Sequence, residues 1–76
     1  MDEEGYILSN KYRKSIFSSL ASGEKNIDFI VKKHRIIKRV ALNIVNDMIE
    51  KGLVEKKNND LFLTEKGEKL SERIES

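Results

Sequence analysis

The strongest constraint on the fold is the stretch Ile27–Val54, the most apolar part of this 76-residue chain. Within it, residues 29–46 contain no acidic side chain but include five cations and one histidine. These six residues are Lys32, Lys33, Arg35, Lys38, Arg39 and His34. A segment that is apolar on one side and cationic on the other can pack into a core and still meet a polyanion.

Length and composition exclude several classes of protein. Seventy-six residues form one small domain with a thin core. The chain has no cysteine and one histidine, so we expect no disulfide, no metal site and no cofactor. No apolar run approaches the roughly 20 residues that cross a bilayer, and the first residues are acidic, unlike a signal peptide. We therefore expect a cytoplasmic protein without a membrane partner.

Charge is distributed unevenly along the chain. Residues 5–46 carry nine Lys/Arg and two acids, a net charge of +7, whereas residues 47–76 carry six Lys/Arg and eight acids, a net charge of −2. This asymmetry indicates an anionic partner for the middle of the chain. The alternative interpretation is that the asymmetry has no functional meaning, because charges fall unevenly in any short chain.

Hydrophobic spacing predicts a domain over residues 9–76, preceded by a loosely ordered lead-in over residues 1–8 whose apolar side chains lie over the core. A first helix begins after Ser9 or Asn10, either of which can act as an N-cap. It ends where Gly23 can adopt the left-handed conformation.

A short second helix, capped by Asn26 or Asp28, precedes a third helix over about residues 36–51. A helical wheel separates the third helix into an apolar and a polar face. The apolar face contains Ile37, Ala41, Ile44, Val45 and Met48, and the polar face contains Arg39, Asn43, Asn46, Asp47 and Glu50. So wide an apolar face predicts the central helix of the domain.

The hydrophobic periodicity alone does not determine whether the second and third helices are separate. Residues 27–51 contain no Gly or Pro, and no capping residue lies near residues 34–37. A single helix of about 25 residues with an imperfect heptad, forming a coiled-coil dimer, satisfies the same pattern.

After Gly52 the spacing of the apolar residues no longer follows the helical period. The run LVEKKNNDLFLT places two short apolar segments around Asn58-Asn59-Asp60, which predicts a β-hairpin over residues 53–64. Thr64 can cap a last helix, in which Leu70 and Ile74 are four residues apart. The predicted fold class is mainly α with a small β-hairpin.

The segments MIEKGLVEKK and LTEKGEKL, at this separation, resemble the winged helix-turn-helix domain, in particular the small MarR and ArsR regulators common in archaea. KYRKSIFSSLASGE and IDFIVKKHRI are similar to its first helix and turn. The resemblance implies a three-helix core, a wing and a C-terminal helix, and it favours a turn near residues 34–36. The chain departs from it at Arg35, where the family often has glycine, and at Ile37, where Ser or Thr often starts the helix. Metal sensing, which uses cysteines in that family, is not implied.

Candidate DNA-binding residues fall into three sets, each of which can alternatively be an ordinary solvated surface. Base-reading donors on the outer face of the third helix are Arg39, Asn43, Asn46 and Lys38. Phosphate contacts at the turn are Lys32, Lys33 and Arg35. Wing residues, by the resemblance, are Lys56, Lys57, Asn58 and Asn59. His34 faces the apolar side of the second helix and is expected to be a packed or hydrogen-bonded core residue.

These observations predict a sequence-specific transcriptional regulator that binds double-stranded DNA. Two copies would occupy a palindromic site, joined through Tyr6–Leu8 or the face of Leu70 and Ile74. No catalytic motif is present, so we expect no enzymatic activity. The alternatives are a winged-helix adaptor that binds protein in transcription or replication machinery, and a sequence-neutral, chromatin-like DNA coat.

Overall fold

The computed structural model describes residues 2–75. Over this range the elements are α1 (Glu3–Leu8), α2 (Lys11–Ala21), α3 (Ile27–His34), α4 (Lys38–Glu50), β1 (Val54–Lys57), β2 (Asp60–Leu63) and α5 (Glu65–Glu75). The prediction of a mainly helical fold with one antiparallel hairpin is confirmed. No helix in residues 2–75 has the length and apolar character needed to span a membrane.

The hydrophobic core receives side chains from every one of these elements. From α4 it receives Ala41, Val45 and Met48, which are buried at helical spacing. Phe17 from α2 and Leu53, just before β1, are among the other buried members. α4 packs against α2, α3 and β1, whereas α2 packs against α1, α3, α4, α5 and β2. The central helix is therefore α2, and the prediction that the third helix is central is wrong.

Side-chain caps begin α2 and α3, at residues that the sequence predicted. Asn10 accepts hydrogen bonds from the backbone N–H groups of Tyr12 and Arg13, and Asn26 accepts one from Phe29. At the end of α2, Gly23 has a φ of 102°, a left-handed value that suits glycine.

A tight turn separates α3 from α4, so the alternative of one long helix is wrong. Arg35 adopts the left-handed conformation, with φ 55° and ψ 48°, and its N–H donates to the carbonyl of Val31. Ile36 is buried beside it and also donates its N–H to Val31. Ile37 is extended and precedes the first residue of α4. The reversal at Arg35 is what directs α4 across the core.

Ile37 is the main error in the predicted core. The sequence placed it on the buried face of the third helix, but its side chain is 70% exposed. The reason is that α4 begins at Lys38, later than the predicted residue 36. Ile37 therefore follows the geometry of the turn and not the helical wheel.

The prediction of a loosely ordered lead-in is wrong for residues 3–8, which form α1. Glu3 and Glu4 lie in its first turn, where the helix dipole favours acids. They also bind α5, with Glu3 contacting Lys66 at 2.7 Å and Glu4 contacting Arg73 at 2.8 Å. The hydrogen bond from Lys66 lowers the pKa of Glu3.

The surfaces predicted for dimer contacts are largely used inside the monomer. Leu70 is only 5% exposed, and Ile74 packs against the core. Leu70 is therefore too buried to form the predicted contact with a second copy. Ile7 is fully buried, as expected for a side chain lying over the core. Leu8 remains 48% exposed.

The hairpin has a two-residue turn. Lys57 pairs with Asp60 at the tip, and Asn58 and Asn59 have φ values of 51° and 72°. Positive φ at both central residues is the type I′ arrangement, which matches the twist of the strands. At the other end, Thr64 caps α5 by accepting from the N–H of Gly67, as predicted.

Candidate nucleic-acid interface

The predicted base-reading side chains lie together on the outer face of α4. Arg39, Asn43 and Asn46 are all exposed and follow one another at helical spacing, opposite the buried residues of the same helix. Their position follows from the amphipathic pattern of α4, whose apolar side is held by the core. A guanidinium and two amides are therefore presented to solvent by a rigid element.

Lys38 is exposed but already has a partner. Its Nζ lies 2.8 Å from Oδ1 of Asp28, in the first turn of α3. Arg39, by contrast, has no ion-pair partner in the described part of the chain. The two neighbouring cations therefore differ in how freely they can engage an anion.

The predicted phosphate-binding residues are exposed at the end of α3 and in the turn. Nζ of Lys33 donates a hydrogen bond of 3.0 Å to Oε2 of Glu24. This contact is the main reason that the pKa of Glu24 is lowered. Lys32 and Arg35 have no ion pair within residues 2–75.

The predicted wing residues form the tip of the hairpin. Lys56, Lys57, Asn58 and Asn59 are exposed. Nζ of Lys57 lies 3.3 Å from Oε1 of Glu55 on the same strand. The backbone of the tip is fixed by the type I′ turn, so these side chains extend from a defined position.

A groove of about 380 Å³ lies between the start of α3, the side of α4 that carries Leu42 and Ile49, and the hairpin. Its lining includes Lys38 and Asn46 from α4, and Lys56 and Asn59 from the hairpin. The structure thus brings together members of two sets that the sequence predicted separately. Arg39, Asn43 and the residues at the turn lie outside this lining.

A family model described as winged helix-turn-helix matches residues 6–76. The chain belongs to the winged helix-turn-helix family. Neither a curated protein nor a solved structure gives a significant match. A winged helix-turn-helix domain is typically a DNA-binding, non-enzymatic fold. In this family the helix in the position of α4 is called the recognition helix and the hairpin is called the wing, and these names are used below for their position in the fold.

The sequence did not predict two contacts of the winged helix domain. Asp28 was considered only as a cap, yet it lines the groove and forms an ion pair with Lys38. Tyr6 was placed in the loosely ordered lead-in and in a candidate dimer contact, yet its hydroxyl donates to Oδ2 of Asp47 on α4 at 3.0 Å. Both contacts join residues from different elements, so no local pattern could reveal them.

The ring of Tyr6 is held by two cations. The guanidinium of Arg13 lies 4.2 Å from the ring centroid, and Nζ of Lys51 lies 4.7 Å from it. Burial of the side chain and the hydrogen bond to Asp47 raise the pKa of Tyr6. These contacts connect α1 to the recognition helix of the winged domain.

His34 is a hydrogen-bonded residue between helices, as the sequence predicted. Its Nε2 lies 2.9 Å from Oγ of Ser19 on α2, and Ser19 is buried. The contact fixes the end of α3, immediately before the turn, against the helix behind it. His34 is half-buried, so it is a hydrogen-bonded residue at the edge of the core.

We expect Arg35→Gly to raise the free energy of unfolding by about 0.5–1 kcal/mol. A left-handed backbone costs a residue with a side chain about 1–2 kcal/mol, and glycine avoids this cost. Part of the gain is lost because glycine gives up more conformational entropy on folding. The same substitution should weaken binding to duplex DNA, since it removes an exposed cation from the turn. Urea denaturation and a DNA titration measure the two effects.

Lys32→Gly is the matched control, because it removes a neighbouring exposed cation from a helical position. It should weaken DNA binding comparably while lowering stability. If Arg35→Gly were less stable than the parent, the left-handed turn at residue 35 would be contradicted.

Proposed function

We propose that this protein is a transcriptional regulator of the MarR/ArsR type found in archaea, which binds DNA in the cytoplasm. The recognition helix lies in the major groove, and the hairpin over residues 53–64 rests as a wing on the adjacent backbone. The observation that supports this most directly is the groove between them, whose lining includes a lysine and an asparagine from each of the two elements.

In this proposal the outer face of α4 reads bases. Arg39 donates two hydrogen bonds to a guanine edge, and Asn43 and Asn46 bridge adenine edges. Their exposure and shared helical face suit this role. Lys38 joins them after exchanging the carboxylate of Asp28 for DNA.

The cations at the turn and wing position the domain on the phosphates. Lys32, Arg35 and Lys56 have no ion pair in the described part of the chain and can bind phosphate directly. Lys33 and Lys57 first give up contacts with acids on the protein. Such exposed pairs are weak, so the exchange costs little.

Binding as a dimer to a palindromic site remains part of the proposal, because one small recognition unit buries little surface. The buried position of Leu70 directs this contact to the exposed part of the N-terminal helix, where Leu8 lies, and to the outer side of α5. Sedimentation with and without bound DNA measures the stoichiometry.

Selection of bound sequences from a random duplex pool, followed by salt titration of the enriched duplex and an unrelated one, tests the proposed function. Enrichment of a palindrome, with tighter binding than the unrelated duplex at the same salt, supports a regulator. A steep salt dependence without sequence preference supports a chromatin-like coat. No binding near 100 mM salt supports a protein-binding adaptor. Either of the last two results overturns the proposal.

We expect Asp28→Asn to tighten DNA binding about two- to fivefold at low salt. The substitution frees Lys38 from a 2.8 Å ion pair and removes a negative charge from the groove. Because the pair is exposed, the gain should shrink as salt rises. Affinity measured at two salt concentrations gives both effects.

The control is Glu72→Gln, which makes the same change in net charge at an exposed position on α5. An equal gain from Glu72→Gln would show that net charge, and not the release of Lys38, explains the result. Unchanged affinity in Asp28→Asn would contradict the place of Lys38 in the interface.

A further inference from the structure

Ile37 is a large apolar side chain that the fold does not use. It is 70% exposed, more than the other exposed large hydrophobic residues among those described. Its neighbours divide sharply, since Ile36 is buried and Lys38 and Arg39 are exposed cations. Ile37 therefore stands at the tip of the recognition helix, beside the positively charged groups assigned to DNA.

Its position is also one where isoleucine gives nothing to helix stability. Ile37 is the N-cap of α4 and makes no side-chain cap hydrogen bond. The corresponding residues of α2, α3 and α5 are Asn10, Asn26 and Thr64, and each accepts a backbone N–H. The recognition helix thus lacks the polar cap that these three helices have. The exposed side chain of Ile37 is therefore available to an apolar group outside the fold.

We propose that Ile37 contacts the C5 methyl group of a thymine in the major groove and so selects an A·T pair at that position. This inference rests on the proposed function. The thymine methyl is the apolar group that base edges present in the major groove. The flanking cations suit a surface surrounded by phosphates, which favours a nucleic acid over an apolar protein partner.

Uracil pairs as thymine does but lacks the methyl group, so it isolates this contact. In the duplex enriched from a random pool, each thymine is replaced in turn by uracil, and affinity for the parent protein is measured. We expect one position per half-site at which uracil weakens binding about fourfold, the effect of losing one buried methyl group. Ile37→Ser should bind the thymine and uracil duplexes equally, whereas Ile37→Val should retain most of the difference.

The serine variant is suitable because its hydroxyl can supply the missing cap, so folding is not threatened. Phe29→Ser is the matched control, since Phe29 is a 53% exposed apolar residue on the neighbouring helix. It should keep the full thymine–uracil difference. Thermal unfolding of each variant verifies the fold.

The outcomes separate this inference from the proposed function. An enriched duplex in which no uracil weakens parent binding, or a thymine–uracil difference that survives in Ile37→Ser, overturns the role of Ile37 alone. Failure to enrich any sequence overturns the proposed function and this inference together.

Discussion

Gly67→Ala is expected to lower the free energy of unfolding by about 2–3 kcal/mol, although alanine is normally the better helix former. A Cβ at residue 67 would overlap the carbonyl oxygen of Leu53, and that oxygen already accepts the N–H of Thr64 at 3.0 Å. The new methyl group must therefore push the start of α5 away from the base of the hairpin. Urea denaturation followed by circular dichroism measures the change.

Gly5→Ala serves as the control for this prediction. It places the same methyl group in α1, where the neighbouring atoms belong to the flexible side chain of Asp2. Its effect on stability should be below about 1 kcal/mol in either direction. If Gly67→Ala were as stable as Gly5→Ala, the close approach of α5 to Leu53 would be contradicted. Small domains have little stability to lose, so the predicted cost is a large part of the total.

Arg39→Ala is expected to reduce the preference for the enriched DNA sequence over an unrelated one by about 1–3 kcal/mol, roughly 5- to 150-fold. Arg39 is exposed on the recognition helix and free of ion pairs within residues 2–75, so its guanidinium is available to a guanine edge. The measurement is the ratio of dissociation constants for the two duplexes at one salt concentration.

Lys32→Ala is the comparison for Arg39, because Lys32 is an exposed cation assigned to phosphate. Lys32→Ala should weaken binding to both duplexes equally. The slope of the logarithm of the association constant against the logarithm of salt concentration should become shallower by about one. Equal loss of discrimination in the two variants would refute the division into base-reading and phosphate-binding residues.

Much of the fold could be predicted because its signals are local. Asn10 and Gly23 mark the ends of one helix by their own hydrogen bonding and backbone preference. Asn58 and Asn59 determine the hairpin turn in the same way. The outward position of Arg39 followed from the helical period, which the core enforces.

The errors arose where helical spacing does not determine the position of a residue. Ile37 fits an apolar face by spacing, but the turn at Arg35 delays the helix and leaves it exposed. The ion pair of Lys38 with Asp28 joins α4 to α3, and the sequence pattern of neither helix indicates it. α1 is too short to show a period, and burial of Ile7 stabilises it.

Arg13 and Lys51 both contact the ring of Tyr6, and the hydroxyl of Tyr6 donates a hydrogen bond to Asp47. These contacts hold α1 against α4 and so stabilise the position of α4. Removing residues 1–8 would delete the buried Ile7 and the hydrogen bond from Tyr6 to Asp47, although every side chain proposed to contact DNA would remain in the sequence. In the proposed complex with DNA, the shortest chain that keeps α4 in its observed position would accordingly start near Glu3.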